Sequence, residues 1–211
     1  MTGYVLYGDI RSGSAAVELA LSEIGAPVEL RAVPLKDDAQ GEAGFRRINP
    51  MGRVPVLVLP DGTVLTESLA ILLTLCDRHP GSGLLPPPGD PGRATALRWM
   101  AMAAGEFYPA VSREDYPERF STDPAAAPGI RAAAQEFART FWRLVETDAA
   151  PSPFLLGDTF SVADLYLAVL SRWAVPKPWF GAACPRVDAL AAAVADRPRC
   201  GPVWRRHFPN G

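Results

Sequence analysis

The chain has 211 residues, 48% hydrophobic and 21% charged, with a formal net charge of -2. That length suits one large domain or two small ones, and the composition is ample for a buried core. The near-neutral balance, with no Lys/Arg-rich tract, argues against a nonspecific electrostatic partner such as nucleic acid or an anionic membrane.

No apolar run approaches the roughly 20 residues a membrane helix needs. The opening MTGYVLYGDIRSG has no charged region followed by an apolar one, so no secretory leader is expected. Cys76, Cys184 and Cys200 are odd in number, far apart and form no CxxC pair. They point to a reduced, cytoplasmic protein without disulfides or a local zinc site. With His79 and His207 as the two histidines, no metal is expected.

The elements follow in chain order. Val5 to Tyr7 reads as a short strand. Apolar residues at Val17, Ala20, Leu21 and Ile24 have helical spacing over 14–24, and Gly25 stops that helix. Val28, Leu30 and Ala32 alternate with their neighbours as in a half-buried strand. After a connecting stretch come a strand over 56–59, a Pro60-Asp61-Gly62 turn and a strand over 63–66. A helix runs from Glu67, with Thr66 as its N-cap, to about Asp77. This β-α-β, β-β-α order predicts a small mixed sheet covered by helices. HPGSGLLPPPGDPGR then reads as a linker, because Pro and Gly sustain neither helix nor central strand. Beyond it the periodicity is helical: 93–108, 130–147, 162–173 and 187–195.

Two features in the first part carry chemistry. Pro55 lies inside NPMGRVPVL, where a proline fits a strand start because it donates no ladder bond. A cis Val54–Pro55 bond there turns the backbone and leaves the Val54 N–H and C=O free to pair with an extended peptide. Twelve residues on, Glu67 and Ser68 open a helix whose N-terminus favours an anion. Ser68 adds a donor for a carboxylate and Glu67 an acceptor for an ammonium, the two halves of an amino-acid head. Each feature alone is more often a plain strand start or a helix cap. Their order and spacing make the pair more specific.

NPMGRVPVL, the PDG turn and TESLAILLTL are similar to the glutathione-site core of the cytosolic glutathione transferases, and SGSAAVELAL and FYPAVSREDYPERF resemble bacterial members. The resemblance implies an α/β plus all-α fold: a thioredoxin-like domain over 1–79, a linker over 80–92 and an all-helical domain over 93–211. It implies a glutathione site with Arg11, Arg53, Val54, Pro55, Glu67 and Ser68, and no metal. In GDTFSVADLYLAVL, Ser161 caps a helix and Asp164 answers three residues later, a structural device.

Glutathione must be activated, because a free thiol has a pKa near ~8.5 and the thiolate reacts. A donor at the mouth of the first helix serves this. Ser12 is the first candidate. Ser14 is an alternative, otherwise the helix N-cap. Tyr7 is another, since YGDIR resembles the tyrosine-type pattern. Gly13 stands about where some bacterial members carry a redox-active cysteine. The resemblance further implies an apolar pocket for a small electrophile, with Trp99, Met102 and Tyr108, and a homodimer. A transferase is the leading expectation; an isomerase, dehalogenase or peroxidase using the same site, or a noncatalytic binding protein, are the alternatives.

Overall fold

In a computed structural model, which describes residues 3–209, the chain forms two compact units: Met1–Leu85 with Ala195–Gly211, and Pro86–Val194. Residues 1–2 and 210–211, the outer limits of the two expected domains, lie outside the described residues.

The first unit is built on β1 (Tyr4–Gly8), α1 (Ser14–Ile24), β2 (Val28–Ala32), a one-turn α2 (Ala43–Arg46), β3 (Val56–Val58), β4 (Val64–Thr66) and α3 (Ser68–Arg78). The sheet order is β2-β1-β3-β4; β1 and β2 are parallel, and the other two pairings are antiparallel. A parallel pair needs a crossover connection, and α1 supplies it. Helix α1 ends where expected: Gly25 takes the left-handed conformation, φ 76°, and its N–H closes on Leu21 and Ser22. One face of the sheet packs on α1 and α3, whose Val17, Leu21, Ile71 and Leu72 are fully buried. Tyr7, Val33, Phe45 and Val56 join a second apolar cluster with Val54.

Strand β2 departs from expectation. It is an edge strand, Leu30 is 46% exposed, and the buried residue is Val33 just beyond it. Alternation predicts half-burial, but an edge strand with one uncovered face need not bury its apolar positions.

The second unit holds α4 (Pro91–Met102), α5 (Tyr108–Asp115), α6 (Ala127–Leu144), α7 (Val162–Leu170) and α8 (Lys177–Ala183). α9 (Pro185–Ala195) follows, and α10 (Cys200–His207) belongs to the first unit. Asp90 caps α4, its side chain accepting from the Gly92 N–H. A π-helical stretch, Ala103–Phe107, joins α4 to α5. Its wider turn shifts the helical register and swings Phe107 into the core, where its ring lies 5.2 Å from Phe141 and 5.0 Å from Trp142. Among the described residues no helix is long and apolar enough to cross a membrane, and no group of three or more His, Cys, Asp or Glu is placed to hold a metal ion.

Candidate active site

Strand register brings three loops of the first unit to one end of the sheet. Tyr7 stands opposite Val56, and Val56 opposite Thr66. Just past that row lie the turn from β1 into α1, the peptide before β3 and the start of α3.

The first of these is residues 9–13. Gly8 is required there, because a Cβ on it would collide with the Ser14 hydroxyl. Asp9 organises the turn: its carboxylate accepts from the N–H groups of Ile10 and Leu35, both at 2.8 Å. Its carbonyl oxygen accepts from Ser12 Oγ at 2.8 Å and Ser14 Oγ at 3.1 Å. The two hydroxyls are 2.9 Å apart. Ser12 Oγ also accepts the N–H groups of Asp9, 3.2 Å, and Ser14, 3.3 Å. Ser14 is not the N-cap. Gly13 is, and Ser14 is the first helical residue, buried with its hydroxyl turned back to Asp9. Arg11 is exposed and takes a left-handed backbone, φ 61°.

Tyr7 points elsewhere. Its ring meets Phe45 edge-on at 6.2 Å, and its oxygen accepts from Arg31 Nη1 at 2.7 Å. Hydrogen bonds to Glu29 and Tyr7 raise the Arg31 pKa above its ordinary value.

The second loop runs from Asn49 to Pro55. Asn49, 3% exposed, braces it: Nδ2 donates to the Arg53 carbonyl at 2.7 Å and Oδ1 accepts the Met51 N–H at 3.1 Å. The Val54–Pro55 peptide is cis. Val54 is half-buried in the second apolar cluster, and its N–H and C=O have no hydrogen-bond partner among the described residues. The Arg53 side chain is exposed.

At the third position the N-cap of α3 is Glu67, not Thr66. Glu67 holds φ 63° and ψ 110°, outside the region an L-residue prefers, so this backbone is strained. Ser68 is the first helical residue and is buried. Glu67 is exposed, carried out from the sheet end.

The expected electrophile residues lie in the second unit. Trp99 is corrected: at 1% exposure it is a core residue of α4, and helical periodicity alone could not distinguish the two. Met102 and Tyr108 are half-buried, and the Tyr108 ring lies 6.0 Å from Tyr166 and 5.5 Å from Trp173.

Sequence reasoning missed Asp9, Asn49 and a buried group behind the first loop. His207 of α10, 2% exposed, has Nδ1 3.1 Å from the Arg11 N–H and Nε2 2.9 Å from Glu18 Oε2. Burial and the Arg206 charge push its pKa down to about 4, against the pull of Asp9. Asp9 had a signal, a carboxylate between a strand and a helix mouth where loop N–H groups need acceptors. Nothing local announces His207.

A model of the glutathione S-transferase N-terminal domain family matches residues 14–78. The GST-like protein YncG of Escherichia coli is 27% identical over 96% of this chain and 97% of its own length. A sphingomonad glutathione S-transferase solved in complex with glutathione is 33% identical, with TM-score 0.77, over 95% of this chain and 97% of that one. A Sulfitobacter glutathione transferase homologue with bound glutathione superposes at TM-score 0.88 with 29% identity, over 96% and 97% of the two chains.

Proposed function

Since the chain belongs to the glutathione S-transferase family, we propose that it is a transferase joining the glutathione sulfur to a small hydrophobic electrophile. The supporting observation is the meeting, at one sheet end, of the unpaired Val54 backbone with the Glu67–Ser68 helix start. An extended peptide pairs its main chain with Val54, as an added strand does. Its amino-acid head is held at α3, the carboxylate by the helix end and Ser68, the ammonium by Glu67. Arg11 and Arg53, both exposed, supply positive charge for the anionic tripeptide.

Ser12 is the proposed thiolate donor. Both acceptor positions of its oxygen take backbone N–H groups. Its own proton is therefore the one to give, and Ser14 can hold the Asp9 carbonyl while Ser12 turns to sulfur. With an aryl halide, the thiolate forms the C–S bond, the halide leaves with the electron pair of the broken carbon–halogen bond, and the thiol proton passes to solvent. Met102 and Tyr108 are the proposed electrophile contacts. A homodimer and a cytoplasmic location belong to the same proposal.

Calorimetry with glutathione tests the site. Ser68→Ala is expected to weaken binding about 10-fold or more, the effect of a hydrogen bond to a charged group. An unchanged affinity, or no binding by the parent, defeats the reading. Glu67→Gly separates strain from recognition. Glycine adopts a positive φ freely, so urea unfolding should give a stability equal to the parent or higher by about 1 kcal/mol. Glutathione affinity should nonetheless fall. Loss of stability together with affinity counts against an acceptor role for the carboxylate.

A further inference from the structure

The last helix and the turn leading into it reach both ends of α1. At its C-terminal end, Arg197 donates to both Glu23 oxygens at 3.0 and 2.9 Å, Cys200 Sγ donates to Glu23 at 3.1 Å, and Ser22 donates to the Arg199 carbonyl at 2.8 Å. At its N-terminal end the contacts are of another kind, because one partner is the backbone of the proposed thiol-site turn. The Arg11 N–H can only donate, so His207 Nδ1 must accept and carries no proton. The ring proton therefore sits on Nε2 and is donated to Glu18 Oε2, while the other Glu18 oxygen pairs with Arg206. Donor identity thus fixes the tautomer and the direction of every hydrogen bond from Glu18 to the turn.

Arg11 is also the strained residue of that turn. A non-glycine φ of 61° persists only where the surroundings hold it. The N–H that defines this conformation has His207 as its partner. Ser12 follows directly, and its hydroxyl placement depends on the path the chain takes through Arg11.

We propose that His207, oriented by Glu18, is a positioning residue for the thiol site: it holds the Arg11 backbone in its left-handed conformation and so aims Ser12. This rests on the reading of residues 9–14 as the thiol site. Only the neutral imidazole can do this. The charged groups facing it are Glu18 from α1, Asp9 from the turn and Arg206 from its own helix. Burial and Arg206 keep it neutral at physiological pH.

The test compares His207→Asn with His207→Leu in the full chain. The Asn Oδ1 stands close to where Nδ1 stood and can accept the Arg11 N–H; Leu fills the space without an acceptor. Amide hydrogen exchange at Arg11 and kcat with glutathione and chlorodinitrobenzene are the readouts. Leu is expected to speed Arg11 exchange and lower kcat, each about 10-fold, while Asn stays within about 3-fold of the parent in both. KM for glutathione should move less than kcat, since His207 touches no part of the tripeptide. Leu behaving like the parent, or Asn and Leu declining alike, overturns the proposal. Should Leu fail to fold, the parent decides alone: a scalar coupling across the Arg11 N–H···Nδ1 bond is expected by NMR, and its absence overturns the assignment. If the parent binds no glutathione, the transferase reading fails, whereas the exchange and coupling measurements still judge His207.

Discussion

Asp164→Ala is expected to destabilise the helical unit by roughly 3–5 kcal/mol, the sum of a lost helix cap and buried donors left without acceptors. Asp164 is wholly buried at the third residue of α7. One carboxylate oxygen accepts the Leu155 N–H at 2.7 Å; the other accepts the Ser161 N–H at 2.7 Å and the Ser161 hydroxyl at 2.8 Å. The same side chain closes a reciprocal capping box with Ser161 and ties the preceding loop to the helix. Burial lifts its pKa to about 6 against the pull of those donors, so it is ionised at neutral pH. Asn keeps one acceptor oxygen, and Asp164→Asn should therefore lose about half as much. Urea unfolding followed by circular dichroism measures both, and an alanine loss under about 1 kcal/mol contradicts this account.

Ser12→Ala is expected to raise the pKa of bound glutathione by about 1–2 units and to lower kcat/KM by roughly 10- to 100-fold, the range for one hydrogen bond to a charged atom. Thiolate absorbance against pH reads the first effect and steady-state kinetics the second. Ser14→Ala should stay within about 3-fold, since Ser12 and Ser14 share the Asp9 carbonyl and one can hold it without the other. Tyr7→Phe should do the same, because the Tyr7 oxygen is engaged by Arg31, whose guanidinium is itself well exposed. A loss confined to Tyr7→Phe would transfer the donor role to that phenol; a loss only in Ser14→Ala would transfer it to the first residue of α1.

What the sequence disclosed follows how local each cause is. The limits of α1 were legible because its apolar spacing and Gly25 lie within one segment. The capping box at Ser161 and Asp164 was legible for the same reason. The cis bond before Pro55 had its signal in the residue type, and the proline sits at the start of β3. Thr66 was a reasonable cap by residue preference, yet Glu67 takes that place by entering a backbone region no propensity favours. Trp99 was misread because core and pocket aromatics share one spacing at helical periodicity. Short α8, wrapped in prolines, gave no periodic run to detect. His207 was invisible for a different reason: Arg11 is 196 residues away along the chain and Glu18 is 189 away.

That separation bears on how the protein is made. Residues 86–194 must all be translated after the sheet and before α10, roughly 5–20 s at ordinary ribosomal speeds. During that interval the nascent thioredoxin-like layer has its strands and first three helices but lacks the segment that fastens both ends of α1. A ribosome-bound chain stalled before Ala195 should thus hold a sheet whose Arg11 turn is loose, and that turn acquires its fixed shape only once α10 has emerged from the ribosome.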